Sequence, residues 1–265
     1  MMIKEFRNLK VCYREGTVDE HVLGHSFEDG IYFIPEYIPT PEDNIIDIGA
    51  HIGTFSILAA SKLRRGKVYA IEACQETFEY LRRNVALNQL SNVSLHHLAL
   101  TDFKGTVRLF YDINSGNWGH SIVKELSDQY EDVCADTLTN FMADNNITRC
   151  DFMKFNCEGA EFKIILSTPR EILQRVKVML ILYHLDLVRD YSEANLMSYL
   201  QQCGFSTTAR HRGFGGGEII ATNNYLYHVS SYELKKRFIH YYLRCYRYYL
   251  HFYLKDFKNK KKLFH

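Results

Sequence analysis

The chain has 265 residues, of which 46% are hydrophobic, 14% aromatic and 24% charged, enough for one large domain with appendages and too apolar for bulk disorder. Its longest uncharged apolar run, around Val178 to Leu185, falls far short of the roughly 20 residues that span a bilayer, and Lys4, Glu5, Arg7 and Lys10 stand where a signal peptide would be apolar. Seven cysteines without a C-x-x-C pair argue against a disulfide framework or a zinc knuckle, so a cytoplasmic, reducing setting is expected. The net charge of +1 divides unevenly: residues 235–265 hold ten basic side chains against Asp256, a local +9, which leaves −8 on residues 1–234.

Taken in chain order, residues 1–40 form a segment that runs into Pro35, Pro39 and Pro41, and it is read as a cap or lid over a sheet edge. Residues 41–224 then alternate short apolar runs with amphipathic stretches. Ile45 to Ile48 reads as a buried strand, Thr54 to Leu63 as a helix, Lys67 to Ile71 as a strand, Gln75 to Leu87 as a helix and Val93 to Leu98 as a strand. That order predicts a parallel sheet with right-handed crossovers. Residues 106–135 are expected to hold one short strand, Val107 to Tyr111, and a Gly/Asn/Ser-rich loop carrying Trp118. Two more buried strands, Asp151 to Phe155 and Val178 to Leu182, flank a helix from about Ala160. A helix from Glu193 to Cys203 precedes a closing antiparallel pair, Phe205 to Arg210 and Glu218 to Thr222.

Residues 225–265 are set apart as a basic, aromatic helical tail. Ser230 to Glu233 has the form of a capping box, and the helix could run to about Lys258. At helical spacing its cations share one face, with tyrosines and phenylalanines beside them, a pattern that suits either packing on the body or an anionic membrane surface. Nucleic acid is the less expected partner.

The stretch from Asn44 to Thr54 is the most informative, because a buried strand runs through Asp47 into Gly49, Ala50, His51 and Gly53 and then into a helix. Glycines there allow a sharp turn and close approach of a ligand to the main chain. Glu72 ends the next strand, about 20 residues further on, where an acid can accept hydrogen bonds from two ribose hydroxyls. Together they predict a nucleoside cofactor, S-adenosylmethionine rather than a nicotinamide, with Asp47 holding the loop or meeting an amino group.

Asp47 to Gly53, Ile71-Glu72, Ala99 to Asp102 with Gly105, and above all Lys154-Phe-Asn-Cys-Glu-Gly-Ala-Glu161 resemble the FkbM family of S-adenosylmethionine-dependent methyltransferases. Arg14 to Asp19 and Tyr32 are similar to that family's N-terminal segment. The resemblance, over about residues 12–223, implies a Rossmann-like class I α/β fold with a seven-stranded, mostly parallel sheet ending in an antiparallel hairpin. It also implies a cofactor contact at Asp102 and O-methylation of a sugar hydroxyl in a surface glycan or lipid-linked precursor, or of a polyketide-type hydroxyl. The chain departs from the family in having Asn156 for Asp and Leu182 for an acid, which speaks against a catalytic metal and leaves open a binding module without catalysis.

Open α/β sheets bind ligands beyond the carboxyl ends of their strands. Asn156 and Glu158 after one strand, and His184 after the next, are therefore the candidate catalytic residues. His184, titrating near neutral pH, is the expected general base for an attacking hydroxyl, with Glu158 divided between helix capping and substrate contact. Glu161 is read as capping or ion-paired, and His51 as a hydrogen-bonded loop residue.

Overall fold

A computed structural model describes residues 1–6, 8–112, 119–213 and 215–243. In chain order the elements are β1 (Met2–Phe6), β2 (Leu9–Tyr13), α1 (Asp19–Leu23) and a π-helical stretch (Gly24–Asp29). The core follows as β3 (Asn44–Ile48), α2 (Thr54–Ala60), β4 (Lys67–Glu72), α3 (Gln75–Leu87) and β5 (Val93–His97). Next come β6 (Ala99–Thr101), β7 (Gly105–Phe110), β8 (Tyr130–Thr137), α4 (Leu138–Asp144), β9 (Cys150–Phe155), α5 (Ala160–Ser167) and α6 (Arg170–Leu173). The chain closes with β10 (Val176–His184), α7 (Glu193–Gln202), β11 (Phe205–Gly213) and β12 (Gly216–Asn223). Residues 231–243 are helical and are called α8.

Seven strands form one sheet in the order β11-β12-β10-β9-β3-β4-β5. β5, β4, β3, β9 and β10 run parallel, and β12 is antiparallel to both its neighbours. The order reverses between β3 and β9, so a crevice opens at their carboxyl ends, where such sheets take ligands. This is the seven-stranded, hairpin-closed α/β sheet expected from the sequence.

The pleat divides the core. Ile46, Ile48, Met153 and Phe155 bury on the face covered by α4, α5 and α7, while Ile45, Phe152, Val178 and Leu180 bury against Phe55 of α2. Tyr32, Ile34 and Tyr37 complete that second face, with Tyr37 stacked on Phe152 at 4.4 Å between ring centroids. The N-terminal segment therefore lies across one face and its helices rather than along a sheet edge. Its hairpin docks on α3, where Asn84 Oδ1 accepts the Cys12 N–H at 2.6 Å and Asn84 Nδ2 donates to Cys12 O at 3.0 Å.

Part of the long loop expected over residues 106–135 is strand. β8 pairs antiparallel with β7 and parallel with β6, making a small second sheet, and α4 follows it directly, capped by Thr137. Val133 and Ala135 are buried while Cys134 is exposed, the period-2 alternation of a half-buried strand. Trp118 lies outside the described residues, as does the tail from 244 to 265. Ser230 Oγ accepts the Glu233 N–H at 3.2 Å at the start of α8. Among the described residues no helix is long and apolar enough to cross a membrane.

Candidate active site

The site begins with a charge pair inside the sheet. Parallel register sets Asp47 of β3 beside Lys154 of β9, and both side chains are buried. Lys154 Nζ donates to Asp47 Oδ1 and to Gly49 O, each at 2.8 Å, and Ser56 Oγ donates to Asp47 Oδ2 at 2.6 Å. Burial pulls the Lys154 pKa down, but the Asp47 charge and hydrogen bond outweigh it and the net shift is upward. Asp47 thus sits beneath the glycine loop and pins it.

The loop itself turns through Gly49 at φ +72°. A Cβ there would lie 1.9 Å from Asn156 O, so this turn and the one after β9 touch backbone to backbone. Asn156 N–H donates to Ile48 O at 3.0 Å, which fastens the two turns together.

Glu72 closes the next strand. Its Oε2 accepts the His51 N–H at 2.8 Å and its Oε1 accepts the Cys74 N–H at 2.9 Å. Burial raises its pKa, opposed by those two N–H groups. Each oxygen keeps acceptor capacity beyond that one bond, and Glu72 lines the cavity described next, so a pair of ribose hydroxyls can still be accepted.

A cavity opens over these turns. Gly49, Ala50, His51 and Glu72 form its floor, and Asn156, Cys157 and Glu158 one end. Leu98, Ala99, Leu100, Leu109 and Ile122 make an apolar wall, and Arg14, Val22 and Tyr32 come from the N-terminal segment. Apolar lining residues beside a carboxylate with two oxygens able to accept hydroxyls fit adenosine. Asp102 is exposed and is not part of the cavity wall; Ala99 and Leu100, three and two residues before it, are. Gly53 stands back from the wall at φ +85°, starting α2 against Leu81.

The catalytic end differs from expectation at His184. Its Nδ1 lies 3.3 Å from Glu161 Oε1 and its Nε2 3.6 Å from Glu158 Oε2, while its backbone N–H donates to Glu161 Oε1 at 2.7 Å. Desolvation pulls the imidazole down, but the Glu161 hydrogen bond and the two carboxylate charges raise its pKa to about 9. Neither it nor Tyr183 lines the cavity. His184, the expected general base, is thus engaged by Glu158 and Glu161 and stands outside the cavity lining.

Glu161, fully buried, is the capping residue, since its Oε2 accepts the Gly159 N–H at 3.0 Å. That leaves Glu158 free of the capping task. Held at φ +50° and lining the cavity, its carboxyl has a pKa raised by burial and lowered by the neighbouring His184 charge. Lys154, Arg14, Asp19 and His120 were not singled out as site residues from the sequence. Lys154 carried a readable signal, because a lysine inside the apolar run Asp151 to Phe155 requires a buried partner. Among the described residues no group of three or more His, Cys, Asp or Glu is arranged to hold a metal ion.

The strand order, the glycine turn after the first core strand and the acid after the second are those of the class I, S-adenosylmethionine-dependent methyltransferase fold. Residues 47–207 match the family described as the methyltransferase FkbM domain, and the chain belongs to that family. Its cofactor is S-adenosylmethionine, and the residues of the cavity fit it. The chain is 27% identical over 153 residues to Methyltransferase 1 of Beauveria bassiana, covering 50% of this chain and 61% of that protein. It is 26% identical over 181 residues to Methyltransferase sdnD of Sordaria araneosa, covering 57% of this chain and 69% of that one. It therefore spans about three fifths of the first relative's length. Among solved structures it is similar to precorrin-6y C5,15-methyltransferase of Geobacter metallireducens, with a TM-score of 0.45, 13% identity and coverage of 74% of this chain and 87% of that one. A second similar structure is a SAM-dependent methyltransferase of Aquifex aeolicus, at a TM-score of 0.43 and 15% identity, covering 75% and 92%.

Proposed function

We propose that the chain methylates a hydroxyl oxygen of a sugar, within a surface glycan or its lipid-linked precursor, with Glu158 as the general base. The observation that carries this is Glu158, which lines the cavity with its Oε2 3.6 Å from His184 Nε2. Bound S-adenosylmethionine supplies an electrophilic methyl group on a sulfonium. A hydroxyl is a poor nucleophile until its proton is removed, and a desolvated carboxylate beside it takes that proton as the new bond forms. Burial raises the Glu158 pKa, which suits a proton acceptor, the His184 charge opposes that rise, and Glu161 hydrogen-bonds His184. Asn156, at the same end of the cavity, offers an amide to orient the acceptor.

The experiment is methyl transfer from labelled cofactor to two acceptor panels, glycosides with glycolipids in one and aliphatic or phenolic hydroxyl compounds in the other. Transfer confined to the second panel would replace the sugar reading with that of a secondary metabolite.

We propose in addition that the tail rests on an anionic membrane. Tyr232, Ile239, Tyr242 and Leu243 of α8 are well exposed, whereas Phe238 and Tyr241 turn to the body under Arg210, at 5.6 and 5.7 Å from its guanidinium. Exposed apolar residues interleaved with Lys235 and Lys236 on one side of a helix, followed in sequence by further cations, suit the headgroup boundary. The full-length chain is expected to float with anionic vesicles at low salt and not with neutral ones, and Ile239→Glu with Leu243→Glu is expected to abolish flotation. Equal flotation of that variant would remove the reading.

A further inference from the structure

The backbone at Glu158 is held from two sides. Glu158 adopts φ +50° and Gly159 φ +95°, two left-handed residues in succession between β9 and α5. The peptide group that joins them is fixed at each end: Gly159 N–H donates to Glu161 Oε2 at 3.0 Å, and Glu158 O accepts the Ser121 hydroxyl at 2.8 Å. Glu161 belongs to α5, whereas Ser121 comes from a stretch between β7 and β8. Ser121 is fully buried and is itself anchored, its backbone exchanging hydrogen bonds with Phe110 at 2.9 and 3.1 Å and its Oγ accepting the Val123 N–H at 3.2 Å. The same stretch meets the Glu158 side chain. A Cβ on Gly119 would lie 2.5 Å from Glu158 Cδ and 2.6 Å from its Oε2. Gly119 has no positive φ, so the carboxyl group and not the backbone excludes a side chain there.

A left-handed conformation is unfavourable for a residue with a side chain and persists where the surroundings over-determine it. Here it falls on the one acid at this end of the cavity. We propose that residues 119–123 form a strap that holds Glu158 in its cavity-facing conformation, with Ser121 and Gly119 as positioning residues for the base. This rests on the reading of Glu158 as the general base. Ser121 fixes the backbone from which the carboxyl projects, and Gly119 lets the strap lie directly against that carboxyl. The contact also keeps water from one side of the group, in keeping with a pKa that burial raises. The charged groups around it are His184, which lowers that pKa, and Glu161, Asp186 and Asp112, which raise it.

The test combines two readouts on the full chain: kcat with an acceptor methylated in the two panels above, and a carbon NMR titration of the labelled Glu158 carboxyl, identified by its loss in Glu158→Gln. The titration needs no acceptor. Ser121→Ala should lower kcat by about 10- to 100-fold, the size of effect that a small misplacement of a reacting group produces. S-adenosylhomocysteine affinity should stay within roughly threefold, because the cofactor's contacts are untouched. The Glu158 carboxyl, no longer held under the strap, should titrate closer to the ordinary value of about 4.3. Ser121→Thr, which keeps the hydroxyl, should return both readouts toward the wild type. In a Glu158→Gln background Ser121→Ala should change kcat by less than about twofold, since the group it positions is gone. Thermal melting checks the fold, and if Ser121→Ala does not fold, Gly119→Ala perturbs the same carboxyl from the cavity side and is expected to lower kcat and shift the titration likewise. An unmoved titration with unchanged kcat, or an equal kcat loss in both backgrounds, overturns the strap and leaves Glu158 as the base. Near-normal kcat in Glu158→Gln alone removes the base, and the inference falls with it.

Discussion

Replacing Lys154 by Met keeps the bulk of the side chain in the sheet but deletes its charge. Lys154 is 2% exposed, and Asp47, its partner, is fully buried. The substitution would leave Asp47 as an unpaired carboxylate inside the core, with only the Ser56 hydroxyl on one oxygen. Breaking one side of a buried pair costs about 3–5 kcal/mol, whereas removing both charges is often close to neutral. Gly49 O also loses its donor, so the glycine turn loosens at the same time. Lys154→Met is therefore expected to lose about 3–5 kcal/mol, and Asp47→Asn with Lys154→Met to recover at least half of it. Urea unfolding followed by circular dichroism measures both, provided the m-value is unchanged. A loss below about 1 kcal/mol in the single variant, or a double variant worse than the single, would refute the assignment of this pair as the pin under the loop.

Glu158→Gln should lower kcat by about 10²–10⁴-fold while S-adenosylhomocysteine affinity stays within roughly threefold, since it removes the proton acceptor and not the cofactor's contacts. The rate of the wild type should rise with pH through a value above the ordinary carboxylate range, set by Glu158, and not through that of a free histidine. Stability should peak near pH 6.5 in urea titrations across pH. His184, raised to about 9, contributes stabilisation that is full below 6.5 and lost as pH rises to about 9. His51, lowered to about 4, contributes stabilisation that is full above 6.5 and lost as pH falls to about 4. Each is worth at most about 3 kcal/mol, and His184→Gln should flatten the alkaline limb. Gly49→Ala should fail to bind S-adenosylhomocysteine or fail to fold, because its Cβ would overlap Asn156 O.

Much of the sheet was legible because its strands are apolar and its turns are marked. α3 runs over Gln75–Leu87 as its periodicity predicts, β9 starts one residue before its predicted core, and β10 extends its own by two at each end. β8 was missed because Glu131, Asp132 and Asp136 hide the alternation of Val133 and Ala135. Helix α2 stops at Ala60, short of the expected Leu63, where Ser61 takes over the capping position. The glycine turn and Glu72 could be placed from spacing alone, since both follow buried strands. Partners across strands could not. Nothing local shows that Glu158 and Glu161 close on His184 from 23 or more residues away, and that meeting raises the ring's pKa. Asp102 shows the opposite case, an acid placed in the site by likeness of motif while the turn after β6 points it to solvent.

The most direct measurement is calorimetric titration with S-adenosylhomocysteine of the wild type and of Glu72→Ala. The wild type should bind one equivalent. The variant loses the acceptor for the ribose hydroxyls and the anchor of the His51 and Cys74 N–H groups, so its affinity should fall roughly 10- to 150-fold. An unchanged affinity in Glu72→Ala, or no binding by the wild type, would contradict the cavity's assignment as the cofactor site.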